Sequence, residues 1–108
     1  MNSEKVVSLV IPLFNEEELV DTLSERVTGA IEDSGSNFEV VLVDDGSKDS
    51  TYQKLLEWQE KDDRVVIVQL SRNWGHQNAF NAGLDVAIGD AVIFMDGDLE
   101  DPPEMIEQ

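Results

Sequence analysis

Four short apolar runs, punctuated by helical periodicity and turn residues, constrain this chain more than any other feature. Val6 to Leu13 (VVSLVIPL), Phe38 to Val43 (FEVVLV), Val65 to Leu70 (VVIVQL) and Ala91 to Met95 (AVIFM) are almost unbroken in apolar residues. That is the pattern of strands covered on both faces. Between the first two, Glu16 to Ile31 carries Leu19, Val20, Leu23, Val27 and Ile31 at intervals of three or four, which predicts an amphipathic helix. Gly35, within an SGSN stretch, ends it. The run Ser47 to Thr51 (SKDST) supplies capping residues for a second helix over Thr51 to Glu60. A third helix is expected from about His76 to Ile88, and Gly89-Asp90 turns the chain into the fourth strand. Pro102-Pro103 opens a further helix, since proline suits a first helical turn. Strands joined through helices of this length form a mostly parallel sheet, so the fold class is α/β: a four-stranded sheet flanked by helices.

With 108 residues the chain is one small domain, and 41% hydrophobic residues suffice for a core. The formal net charge is −17, from 24 acids against 7 bases. Such a balance disfavours nucleic acid and anionic membrane surfaces as partners, because both repel a polyanion. There is no cysteine, which excludes disulfides and thiolate metal sites. No apolar run approaches the roughly 20 residues of a membrane helix, and the polar start, Met1 to Lys5, reads as no signal peptide. The expectation is a soluble chain.

Ligands of open parallel sheets bind outside the carboxyl ends of the strands. In this sequence those ends are polar: Asn15, Glu16 and Glu17 after the first, Asp44 to Ser47 after the second, Ser71, Arg72 and Asn73 after the third, Asp96, Gly97 and Asp98 after the fourth. Two carboxylates one residue apart repel each other unless a cation joins them, and hard divalent ions choose oxygen ligands. Asp96 and Asp98 are therefore the metal candidates, with Gly97 admitting a close ligand. Asp44 and Asp45 have two readings: hydrogen-bond acceptors for a base or ribose, or caps of the second helix. Arg72 either contacts a diphosphate or pairs with a neighbouring carboxylate. His76, the only histidine, reads as a surface or capping group, and Trp58 and Trp74 read as packing residues. Neither a GxGxxG nor a GxxxxGK[ST] loop is present.

Taken together, VSLVIPLFNEEE, VVLVDDGSKDST, SRNWGHQNAFNAGLDVAIGD and AVIFMDGDLEDPPEMI resemble the successive blocks of family 2 glycosyltransferases, in order and spacing. The likeness runs from Val7 to Ile106. It extends to the polyprenyl-phosphate glycosyltransferases, dolichol- and undecaprenyl-phosphate enzymes among them, whose bacterial members carry DLQDPPE where this chain has DLEDPPE. The resemblance implies a GT-A fold, of which this chain is the Rossmann-like N-terminal half. It implies that Pro12, Phe14 and Glu16 line a nucleotide pocket, that Asp44 and Asp45 meet base or ribose, and that Asp96 and Asp98 hold Mg2+ or Mn2+ on the diphosphate of a UDP- or GDP-sugar. Gly97 and Glu100 lie near the same site. Two departures are Gly97, where relatives usually carry alanine, and Glu100, where glutamine is frequent.

The implied parent reaction is inverting transfer to a polyprenyl phosphate at the cytoplasmic face of a membrane. The acceptor half would follow Gln108, so the chain alone is expected to bind without transferring. A non-catalytic nucleotide-binding or assembly module is the alternative. A receiver-like signalling module fits worse, because its acidic doublet follows the first strand and here it follows the second. The apolar fourth strand, expected to lie uncovered, predicts self-association of the isolated chain.

Overall fold

The structure, a computed structural model, describes residues 5–95. It contains β1 (Val6–Leu13), α1 (Val20–Ser34), β2 (Asn37–Asp44), α2 (Thr51–Lys61), β3 (Val65–Gln69), α3 (His76–Val86) and β4 (Ala91–Phe94). All neighbouring strands are parallel, in the order β3-β2-β1-β4. The expected four-stranded parallel sheet is what forms.

Both faces of β1 and β2 are covered, which explains their unbroken apolar sequences. On one face Leu9, Ile11, Leu13 and Leu42 pack with Leu23, Val27 and Ile31 of α1 and Leu55 and Trp58 of α2. On the other, Val10, Val41 and Val43 pack with Ala79 of α3. Gly83 brings α3 close to the sheet: a Cβ there would lie 2.5 Å from Val10 Cγ1 and 3.0 Å from Val43 Cγ2.

The chain therefore winds outward from β1 to β3 with its helices on one face, then crosses back on the other face to lay β4 beside β1. That reversal of strand order is a topological switch point, where open α/β sheets form their ligand crevice. The crossover is fastened at the opposite, amino-terminal end of the strands. Buried Glu39 accepts hydrogen bonds at Oε2 from the Ser8 hydroxyl (2.6 Å) and the Ile88 N–H (2.9 Å), and Gly89 N–H donates to Ser8 Oγ at 2.8 Å. A carboxylate so far from water needs such donors.

The first helix begins four residues later than its periodicity suggests. Asn15 adopts a left-handed φ of 52°, and the N–H groups of Glu16 and Glu17 turn to Thr51 Oγ1 and Asp49 Oδ2. These residues are drawn into the rim of the sheet instead of into a helix. At its other end α1 stops, as expected, at Gly35 with φ 71°. No side chain caps α2 at Ser50. Asp49 accepts the Thr51 N–H at 2.9 Å in its place.

Candidate functional site

At the carboxyl end of the sheet the loops after β1, β2 and β3 are laced together. Asn15 exchanges two hydrogen bonds with the β2–α2 loop: its N–H donates to Ser47 Oγ (2.9 Å) and its Oδ1 accepts the Lys48 N–H (2.8 Å). Glu17 Oε1 accepts the Ser50 N–H at 2.7 Å. The left-handed turn at Asn15 aims its amide into this exchange, and asparagine is among the few residues that tolerate that conformation.

The Asp44-Asp45 pair divides its work. Asp45 is buried, and both of its carboxylate oxygens are taken by the β3–α3 loop. Oδ1 accepts the Trp74 N–H at 2.9 Å and Oδ2 accepts the Asn73 amide at 3.2 Å. Asp44 is fully buried at the end of β2. Its Oδ1 accepts the Ser47 N–H at 3.1 Å. Its Oδ2 is covered and has no hydrogen-bond partner among the described residues. A buried polar atom without a partner is costly and calls for an explanation. Neither aspartate caps α2.

Gly46 makes the joint between these loops possible. Its φ is 74°, and a Cβ would overlap the Arg72 carbonyl carbon and reach within 2.5 Å of the Asn73 nitrogen. The β2–α2 and β3–α3 loops thus touch main chain to main chain.

Beside this joint lies an open cleft of about 750 Å³, lined by Phe14, Asp44, Ser47, Lys48, Gln69 and Arg72 among others. Phe14 is 41% exposed, so its ring is a free apolar wall. Arg72 stacks on Trp74, its guanidinium carbon 3.9 Å from the ring centroid. Trp74 is 45% exposed and is a platform for Arg72, not the packing residue expected. Trp58, by contrast, is buried in the core as expected. A second depression, of about 800 Å³, lies between the outer faces of α1 and α2, away from the strand ends. Its charges meet each other, Lys54 with Asp21 at 3.1 Å and Arg64 with Asp62 at 2.8 Å and Glu32 at 3.8 Å.

Phe14, Asp44 and Arg72 are therefore brought together around one cleft. Glu16 borders an adjoining shallow depression with Glu17, Glu18 and Asp49. There Asp49 is held below the ordinary aspartate range: partial desolvation raises it, but hydrogen bonds from the Thr51 hydroxyl and from the Thr51 and Glu17 N–H groups outweigh that. Pro12 is buried in β1. Val10 accepts the Met95 N–H from the β4 side, whereas Leu13 accepts from Asp45 on the β2 side. By strand alternation Pro12 faces β4, where it has no N–H to offer. β1 thus loses a ladder donor on its β4 side at the level of the switch point. His76 opens α3, and its side chain lies outside the described residues. Asp96, Gly97, Asp98 and Glu100 also lie outside them, the described chain ending at Met95. Among the described residues no group of three acidic or imidazole side chains could hold a metal. Lys48 is a site residue that sequence reasoning did not name; Gly46 and Asn73 were placed on the rim by their positions at strand ends, without a role.

Residues 8–108 match the model of the family described as glycosyl transferase family 2. Among curated proteins, the chain is 44% identical over 103 residues to an undecaprenyl-phosphate 4-deoxy-4-formamido-L-arabinose transferase of Pectobacterium carotovorum, covering 94% of this chain and 32% of the relative. It is 42% identical over 99 residues to YkcC of Bacillus subtilis, an uncharacterized glycosyltransferase, covering 92% and 31%. The chain thus spans about a third of the length of these relatives. Among solved structures, the mannosyltransferase PcManGT of Pyrobaculum calidifontis, in complex with GDP-Man and Mn2+, superposes with TM-score 0.76 at 26% identity, covering 89% of this chain and 28% of that one. S. aureus TarS in complex with UDP-GlcNAc gives TM-score 0.71 at 30% identity, covering 85% and 26%. The interlaced rim, the reversed strand order and these likenesses agree: the sheet is the Rossmann-like half of a GT-A fold, and the chain belongs to glycosyl transferase family 2.

Proposed function

We propose that this chain is the nucleotide-sugar-binding portion of an inverting glycosyltransferase, and that the cleft at the ends of β1, β2 and β3 receives the nucleoside. The observation that carries this reading is Asp44 Oδ2, a buried acceptor without a partner on the border of that cleft. A base N–H or a ribose hydroxyl would satisfy it. Phe14 offers an apolar wall to the base, and Arg72, oriented by Trp74, is placed to meet a diphosphate. Asp45 supports the site by holding the β3–α3 loop.

Mg2+ or Mn2+ would rest on Asp96 and Asp98, which follow Met95 in sequence, with Gly97 between them and Glu100 two residues beyond. The donor set, two carboxylates plus a diphosphate, suits a hard divalent ion. Bound there, such an ion supplies Lewis-acid stabilisation of a departing diphosphate. The family neighbour in complex with GDP-Man and Mn2+ supports a metal role. The undecaprenyl-phosphate relative supports a polyprenyl phosphate acceptor for the parent protein. An acceptor phosphate is already ionised, so little general-base help is needed. Such a parent would work at the cytoplasmic face of a membrane, although no described helix is long and apolar enough to cross one. This chain spans about a third of its relatives' length and supplies the strand-end rim of the donor site. It self-associates through the outer strand β4, where Phe94 is 47% exposed.

Calorimetric titration of UDP and GDP with and without Mn2+ tests the metal assignment. Binding should strengthen with Mn2+ in the wild type and lose that gain in Asp98→Asn. Equal binding in chelator and in the variant would overturn the metal role.

A further inference from the structure

We infer that Asn15 is a positioning residue of the cleft: through Ser47 and Lys48 it holds the β2–α2 loop against the Phe14 wall before a ligand arrives. This rests on the nucleotide reading above. It adds a residue that acts on affinity through its neighbours, since Phe14, Ser47 and Lys48 line the cleft and Asn15 sits behind them.

The backbone marks the position first. Among the described residues Asn15 is the only one besides glycine with a positive φ, at 52°. An L-residue enters that region at a cost and stays there when its surroundings over-determine it, which happens most often beside ligand sites. Three hydrogen bonds over-determine this turn. The Asn15 N–H donates to Ser47 Oγ at 2.9 Å, and Asn15 Oδ1 accepts the Lys48 N–H at 2.8 Å. The next N–H, of Glu16, donates to Thr51 Oγ1 at 2.9 Å. All three partners lie more than thirty positions away, between β2 and the first turn of α2. Asparagine thus meets that loop as a donor with its main chain and as an acceptor with its side chain.

From there the constraint passes to the cleft. Ser47, which accepts from Asn15, donates its own N–H to Asp44 Oδ1 at 3.1 Å. The serine therefore links the turn to the carboxylate at the end of β2. Lys48 is exposed, and its main chain is fastened by the Asn15 amide oxygen. Phe14 immediately precedes the turn and is 41% exposed, so the Asn15 torsion fixes where the end of β1 delivers its ring relative to the loop. Setting these groups beforehand removes an ordering cost that a ligand would otherwise meet on binding.

Two substitutions separate the backbone from the side chain. Glycine takes the left-handed φ freely but offers no acceptor, so Asn15→Gly releases the Lys48 N–H and keeps the turn. Aspartate tolerates the same region and restores an acceptor of equal reach.

Wild type, Asn15→Gly and Asn15→Asp, all 15N-labelled, are titrated with UDP plus Mn2+ and separately with uridine, which has no charge for the new carboxylate to repel. Hydrogen exchange at the Lys48 amide, without ligand, reads the tie itself. In Asn15→Gly that amide should exchange at least about tenfold faster, and both ligands should bind about tenfold more weakly, the scale of one hydrogen bond, with amides outside the rim unshifted. Asn15→Asp should recover Lys48 protection and bring uridine affinity to within about threefold of wild type. Faster Lys48 exchange with undiminished binding in Asn15→Gly would overturn the proposal, making the tie merely structural. So would unchanged Lys48 exchange in that variant, or an Asn15→Asp chain that protects Lys48 yet binds uridine as weakly as Asn15→Gly. In each of those cases wild type still binds and the nucleotide reading stands. Silence of the wild-type cleft toward both ligands would overturn that reading and this one with it.

Discussion

Replacing Gly46 by alanine probes the joint on which the site is built. Two costs follow from the structure. The φ of 74° lies in the left-handed region, which an L-residue enters at about 1–2 kcal/mol. The new Cβ also overlaps the Arg72 carbonyl carbon and lies 2.5 Å from the Asn73 nitrogen and 2.6 Å from the Arg72 Cα. Those are main-chain atoms, so no side chain can swing aside and the β3–α3 loop must withdraw. Withdrawal stretches the Asp45 bonds to the Trp74 N–H and the Asn73 amide, at 2.9 and 3.2 Å. Hydrogen bonds to a charged group contribute about 1.5–3 kcal/mol each. Even with partial rehydration of an exposed loop, the total is about 3–5 kcal/mol, a large share of a small domain's stability. Gly35 is the control: its φ is 71°, but a Cβ added there would meet nothing within 4 Å, so Gly35→Ala should cost only the backbone part, about 1–2 kcal/mol. Urea denaturation of both variants measures the difference, and hydrogen exchange at the Trp74 amide shows whether the loop has moved. Equal destabilisation by the two substitutions, with Trp74 exchange unchanged, would refute the claim that the two loops meet through Gly46.

Other consequences can be measured on the same protein. Glu39→Ala should cost about 2–3 kcal/mol by thermal or urea unfolding, because it leaves the buried Ser8 hydroxyl without an acceptor and removes the part-buried bond to the Ile88 N–H; a change under about 0.5 kcal/mol would mean the crossover is fastened otherwise. Asp49 is held low as described, and Asp62 is held low first by its hydrogen bonds with the Arg64 side chain. A carboxyl with a lowered folded pKa stabilises fully above the ordinary aspartate value of about 4 and loses that contribution as pH falls through the folded value. Unfolding free energy should therefore be level above about pH 5 and fall below about pH 4, and the fall should shrink in Asp62→Asn. Self-association should strengthen with salt, because screening weakens the repulsion between chains of net charge −17; sedimentation velocity showing only monomer at high salt and high concentration would contradict it.

The sheet was legible because both faces of β1 and β2 are covered: alternation vanishes, and VVSLVIPL and FEVVLV stand out as strands. The α1 face was legible for the complementary reason, a single apolar stripe, and α2 was legible from the SKDST run that precedes it. The start of α1 was not, since Glu16 and Glu17 have helical character but spend their N–H groups on Thr51 and Asp49, residues more than thirty positions away. The polar rim was found from strand ends alone. How it divides its labour was not, because nothing local separates Asp44 from Asp45. Only the approach of the β3–α3 loop, permitted by Gly46, consumes one carboxylate and spares an oxygen of the other. Trp74 was misread for a similar reason: its partner is Arg72, and a stacked cation leaves no periodic trace.

Whether the cleft at the strand ends receives the nucleotide is decided by a map of UDP, in the presence of Mn2+, on the 15N-labelled chain. The amides shifting at saturation should cluster at Phe14, at Asp44 to Lys48 and at Ser71 to Asn73, with the α1–α2 groove around Asp21, Lys54 and Arg64 unmoved. Shifts confined to that groove, or none in the cleft at millimolar UDP, would contradict the assignment.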